Sequence, residues 1–139
     1  MPEVLDQRAL DDLLAMVGDD PDFVDELVDE YLADVPRQEA ALRAALDAGD
    51  AEGLVRPAHT LKGTSLNLGG QRVAAIAREI EAHGRVGELG AVRALLADLE
   101  AASGELAAAL GQARARRWVG ELRQPGRARA GSSRWRTEP

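Results

Sequence analysis

Leu54-Val55-Arg56-Pro57-Ala58-His59-Thr60-Leu61-Lys62-Gly63-Thr64-Ser65-Leu66-Asn67-Leu68 is the stretch whose reading decides the fold of this chain. On a helical wheel of about 100° per residue, Leu54, Leu61 and Leu68 fall on one side, flanked by Ala58 and Ser65. His59 points the other way. Beside it, within roughly 60°, lie Val55, Arg56, Lys62, Gly63 and Leu66. One face of the segment therefore belongs in an apolar core, and the other offers an imidazole to water with a cation one turn on.

The same period recurs on both sides of this stretch. A short segment over about 6–17 starts at Asp6 as N-cap, places Leu10, Leu13, Leu14 and Val17 on one face, and stops at Gly18. A long one follows, with Asp20 as N-cap and Pro21 at the first helical position, where a missing N–H costs nothing. Its stripe is Val24, Leu27, Val28, Tyr31, Val35, Leu42 and Leu46, and it ends near Gly49. Pro36 removes the bond to Leu32 and crowds its carbonyl, so a kink is expected. The period resumes in step after the proline, which argues for one bent helix. The segment around His59 spans about 51–68. After Gly69-Gly70 the next covers about 71–83, burying Val73, Ile76, Ala77 and Ile80, with Gly84 closing it. The last, about 91–116, carries Val92, Leu96, Leu99, Ser103, Leu106, Leu110 and Ala113 at a spacing near 3.5 residues that suits bundle packing.

No segment alternates with period two, so no sheet is expected. Short links between four long helices predict antiparallel neighbours. The expected fold is all-α: an up-down four-helix bundle over 1–116 with an additional short N-terminal helix. Residues 117–139, rich in Arg, Gly, Ser and Pro, are expected to form a disordered tail.

Composition agrees and removes several functions. The chain has 139 residues, 45% of them hydrophobic and only 3% aromatic, so Ala and Leu must fill the interior of a helical core. With no Cys, disulfides and thiolate metal sites are excluded, and two histidines, His59 and His83, are too few for a His-based metal cluster. No apolar run approaches the roughly 20 residues of a membrane span. Met1-Pro2-Glu3 does not begin a basic-then-apolar leader, so a soluble, cytoplasmic protein without membrane insertion is expected. The net charge of −7 is uneven. Positions 1–113 hold 22 Asp/Glu against 9 Lys/Arg, and 114–139 hold 2 against 8. An acidic body argues against nucleic-acid binding, which needs clustered cations. The basic tail reads first as a solvated tail with no role, and otherwise as a flexible linker or an electrostatic contact for an acidic partner or a membrane surface.

The face around His59 has a chemical use. A neutral imidazole is a nucleophile near pH 7, because its unperturbed pKa is about 6.5. Lys62 can offset charge that grows on a transferring phosphoryl group. Gly63 costs about 1 kcal/mol in a helix interior relative to Ala, an expense that makes sense if a side chain there would block access to His59. Val55 and Leu66 would form an apolar docking patch. Each residue has a plainer reading: a solitary surface histidine is usually just solvated, a mid-helix glycine more often serves packing, and Leu66 could be a scattered leucine. The combination is what points to a reactive His face. His83, at a helix C-terminus where a cation is welcome, reads as structural.

Ala58-His59-Thr60-Leu61-Lys62-Gly63-Thr64-Ser65-Leu66-Asn67-Leu68-Gly69 resembles the signature of histidine-phosphotransfer (HPt) domains. Phe23 through Asp50 looks like that family's long first bundle helix. Ile80-Glu81-Ala82-His83-Gly84-Arg85-Val86-Gly87-Glu88 is similar to the segment that closes its third. The resemblance covers roughly 5–116. It implies a phosphorelay intermediate: His59 accepts a phosphoryl group from the aspartyl phosphate of a response-regulator receiver domain and passes it to another receiver. Lys62 is then the phosphate-stabilising cation, Gly63 the clearance residue, and Val55, Arg56, Leu66 and Arg85 the docking residues. It further implies a monomeric phosphocarrier without catalysis of its own, with no cofactor, the divalent metal sitting on the partner receiver, and a hybrid histidine kinase as a further partner. Pro57 departs from the pattern; it breaks a bond to Gly53 and predicts a local kink or a late helix start. Two alternatives stay open: an adaptor bundle that docks receivers without being phosphorylated, and the phosphoacceptor domain of a chemotaxis-type histidine kinase.

Overall fold

Five helices follow one another in the computed structural model, which describes residues 3–18 and 20–123: α1 (Gln7–Met16), α2 (Pro21–Asp47), α3 (Glu52–Asn67), α4 (Gln71–Val86) and α5 (Val92–Arg123). No strand occurs among the described residues. Local chemistry sets the starts. The Asp6 carboxylate accepts from the Arg8 N–H at 3.1 Å to cap α1, and Asp20 accepts from Asp22 and Phe23 at 3.1 and 3.3 Å to cap α2. Such caps stabilise a helix end by about 1 kcal/mol each. At α3 the carboxylate comes from Asp50, one residue before the N-cap Ala51, and accepts from Gly53 N–H at 3.0 Å.

The helices α2, α3, α4 and α5 form a closed ring of contacts, α2 on α3, α3 on α4, α4 on α5 and α5 on α2, with α1 laid against α2 and α3. Cross-links show the antiparallel sense. Arg43 of α2 pairs with Glu100 of α5, while Asp29, earlier in α2, accepts from Arg114, later in α5, at 2.8 Å. The entry to α1 is fastened to the α3–α4 turn, where the Asp6 N–H donates to the Gly69 carbonyl at 2.7 Å and Gln71 Nε2 donates to Asp6 Oδ2 at 2.8 Å. Gly69 is needed there twice over: its φ is +82°, and a Cβ would sit 2.5 Å from the Asp6 carbonyl.

The core is the set of stripes expected from periodicity. Val24, Val28, Tyr31, Val35, Leu42 and Leu46 of α2 are buried with Leu54, Ala58, Leu61, Ser65 and Leu68 of the α3 region. All seven residues named for α5, from Val92 to Ala113, are buried. Full burial of a Leu or Ile side chain is worth about 1.5–3 kcal/mol, so these contacts dominate stability. The polar Ser65 is accommodated because its hydroxyl meets the Tyr31 hydroxyl at 2.6 Å.

Four expectations are corrected in detail. α4 does not close at Gly84; it continues to Val86 and ends at Gly87, whose φ of +76° gives the left-handed cap. Gly84 is instead a packing residue. Pro57 does not delay α3, which starts at Glu52 and runs through it; the carbonyl its ring crowds belongs to Gly53, which has no side chain to add to the crowding. Ile76 and Leu27 are only partly covered. α5 runs to Arg123, past the end near 116 expected for the fifth segment; the rest of the expected tail, 124–139, lies outside the described residues.

Candidate functional site

His59 stands in the first half of α3, on the side away from Leu54, Leu61 and Leu68, with its side chain 63% exposed. Its ring is not free to turn. Nδ1 lies 3.1 Å from Oε2 of Glu81, a residue of α4 whose own side chain is only 7% exposed. The same carboxylate holds two cations: Lys62 Nζ is 2.9 Å from Oε1, and an Arg85 guanidinium nitrogen donates to Oε2 at 2.5 Å. One turn of α3 and one turn of α4 are thus joined through a single carboxyl group.

Gly84 makes this close approach possible. A Cβ there would lie 2.9 Å from the Ala51 carbonyl and 3.2 Å from both Leu54 Cβ and Val55 Cγ2. With no side chain, α4 settles against the first turn of α3 and Glu81, three residues earlier, comes within reach of His59. The Arg85 hydrogen bond, above all, holds the Glu81 carboxyl far below its ordinary value of 4.5, at about 2; burial opposes this, and Lys62 and His59 add to it. Glu81 is therefore ionised at neutral pH and can only accept hydrogen bonds. Nδ1 must then carry the ring proton, which leaves the lone pair of a neutral His59 on Nε2, the nitrogen at the far side of the ring.

The residues singled out in the sequence gather here with some changes of role. Lys62 lies beside His59 as expected, but already paired with Glu81. Gly63 is exposed and a Cβ there would meet nothing within 4 Å, so no internal contact accounts for the glycine. Leu66 is 47% exposed on the same face and Arg56 is exposed a turn before His59. Val55 is half-buried against Gly84 and offers only part of its side chain. Arg85 belongs to the site through Glu81. His83 stands apart, 3.9 Å from Glu88.

Glu81 itself escaped the sequence reading. A signal for it existed: it lies four residues after Ala77, seven after Ala74 and three before Gly84, inside the buried stripe of α4. A carboxylate in an apolar stripe needs cations or donors from a neighbouring helix. His59 and Lys62 provide them from α3, and Arg85 from α4 itself.

Comparisons with known proteins bear on the family and the fold. The family model described as Hpt domain matches residues 26–116. The solved structure of histidine-containing phosphotransfer protein B (HptB) from Pseudomonas aeruginosa PAO1 is 34% identical and superposes with a TM-score of 0.76, over 84% of this chain and 98% of that one. The HPT domain from the Hpt sensor hybrid histidine kinase of Shewanella, 18% identical, has the same fold, with a TM-score of 0.65 over 81% of this chain and 95% of that domain. No curated protein matches the chain.

Proposed function

Because the chain belongs to the Hpt-domain family of two-component phosphorelays, we propose that its phosphoryl group is carried on Nε2 of His59, arriving from a receiver-domain aspartyl phosphate and leaving to a second receiver. The observation that supports this most is the pairing of an exposed ring with a buried, ionised Glu81 at 3.1 Å from Nδ1. A merely solvated histidine has no reason to be held in one tautomer with its lone pair turned outward.

In the forward step Nε2 attacks the phosphorus in line. The P–O bond to the aspartyl carboxylate breaks, the carboxylate departs with the electron pair, and a P–Nε2 bond forms. Lys62, one turn from His59 on α3, supplies positive charge for the phosphoryl oxygens. Gly63 leaves room for the approaching receiver, with Arg56 and Leu66 on the exposed face of α3 and Arg85 on α4 as its contacts. The divalent metal belongs to the receiver's site, and the carrier acts as a cytoplasmic monomer with no cofactor of its own. No helix among the described residues is long and apolar enough to cross a membrane.

The test is phosphoryl transfer from a phosphorylated cognate receiver to the full chain. Wild type should be labelled, and His59→Gln should carry no label. Equal labelling of the variant would place the acceptor elsewhere.

A further inference from the structure

We infer that Glu81 keeps the ring proton on Nδ1 after His59 has been phosphorylated, so that phosphoryl transfer runs in both directions without a proton entering or leaving the site. The inference rests on His59 being the acceptor, as proposed above, and concerns what happens to the ring afterwards.

A ring that bears hydrogen on Nδ1 and phosphorus on Nε2 is a cation. When a receiver carboxylate oxygen attacks that phosphorus, the P–Nε2 bond breaks and its electron pair returns to Nε2. The leaving group is then a neutral imidazole, already the Nδ1–H tautomer of the resting site. If Nδ1 has lost its proton, the leaving group is an imidazolate, a far stronger base and a far poorer one to expel. The protonated ring is therefore the form that discharges, and whatever holds the Nδ1 proton widens the pH range in which the carrier works.

Glu81 is placed to hold it. Oε2 is 3.1 Å from Nδ1, and an ionised carboxylate offers only lone pairs. Loss of the Nδ1 proton would set two acceptors against each other at that distance. Neither can withdraw easily. The Glu81 side chain is 7% exposed, Lys62 grips Oε1, Arg85 grips Oε2, and the Gly84 contact keeps α4 against α3. The charged groups that face this carboxylate are His59 and Lys62 from α3 and Arg85 from α4; among the described residues α2 and α5 add no ion pair to it. The two cations repel a cationic ring, but both are engaged by Glu81, and the incoming phosphoryl group brings negative charge of its own. Glu81 is thus a positioning residue for the proton; it does not touch the phosphoryl group.

Glutamine is the informative replacement. Its amide keeps the size and can accept from Nδ1–H, but it can also turn its NH2 towards a bare Nδ1, so the deprotonated ring is no longer penalised. The experiment phosphorylates the full chain with phosphoramidate, whose P–N bond breaks to release ammonia, and follows the phosphorylated ring by phosphorus and nitrogen NMR against pH. The folded wild type should lose its ring proton at least about one pH unit above both Glu81→Gln and wild type unfolded in urea. Discharge onto a receiver, measured above the variant's midpoint, should be about tenfold slower in Glu81→Gln. Equal midpoints, with both proteins labelled on His59, overturn the inference and leave the acceptor assignment standing. Absence of label from His59 in the wild type overturns both. If Glu81→Gln does not fold, folded against urea-unfolded wild type decides, and a folded midpoint no higher than the unfolded one overturns the inference.

Discussion

The bundle draws a carboxylate inward on each of two opposite seams, and the two respond in opposite ways. Between α3 and α4, Glu81 meets a lysine, an arginine and an imidazole, and its pKa falls to about 2. Between α2 and α5, Glu39 sits half-buried near the Ser103 hydroxyl, Glu100 and Arg43, and burial pushes its pKa up. The Ser103 hydroxyl offsets part of that rise, the like charge of Glu100 adds to it, and Arg43 takes a little of it back. Glu81 has an imidazole, a lysine and an arginine on one carboxyl group and is the more acidic of the two. Burial alone does not set acidity; the number and kind of donors delivered by the facing helix do. The first seam is built to keep a charge in place, and the second merely tolerates one.

The contrast can be broken most forcefully at Gly84. A methyl there meets the Ala51 carbonyl and the Leu54 and Val55 side chains, so Gly84→Ala should cost about 1–3 kcal/mol, read from the shift in the urea midpoint, despite the better helix propensity of alanine. It should also loosen the His59–Glu81 contact. Next comes Glu81→Gln, which should lower stability at neutral pH by about 1–2 kcal/mol by removing charge-assisted bonds. Since folding depresses the Glu81 pKa from 4.5 to about 2, its contribution is complete above about pH 4.5 and disappears as pH falls through about 2. The variant should therefore lose that part of the acid dependence in a stability–pH profile. Glu39→Gln should do the reverse. A raised pKa means the folded state prefers the protonated acid, so the handicap appears as pH rises above 4.5, and the neutral amide should gain up to about 1 kcal/mol at pH 7 and nothing in strong acid. The smallest effect on stability belongs to Gly63→Ala. With open space around its Cβ, the methyl should add about 0.5–1 kcal/mol while slowing transfer from a receiver. A stabilised variant with undiminished transfer would show that Gly63 gives no clearance.

Much of the fold was legible residue by residue. The stripes of α2, α3 and α5 were read from spacing alone, because leucines and valines recurring every three or four residues come to lie along one side of a helix and need a core to cover them. Asp6 and Asp20 announced helix starts, since a short side-chain acceptor before an apolar run has a local use. Gly84 misled because glycine ends helices and also lets them touch, and only a neighbour at 2.9 Å tells the two apart. The helix end at Arg123 was hidden by a composition that reads as disorder beyond 117. The late start that Pro57 suggests does not occur, since α3 begins at Glu52.

The site divides along the same line. The outward aim of His59, the nearness of Lys62 and the bareness of Gly63 are properties of one helix, and a 3.6-residue period determines them before any partner arrives. The clasp of Glu81 on His59, Lys62 and Arg85 was decided by tertiary structure. It joins residues 22 positions apart, and it depends on how closely α4 settles on α3 at Gly84. Periodicity says which way a side chain points, but the packing of two helices decides what it meets there, and a proton placed to within a hydrogen bond depends on the second.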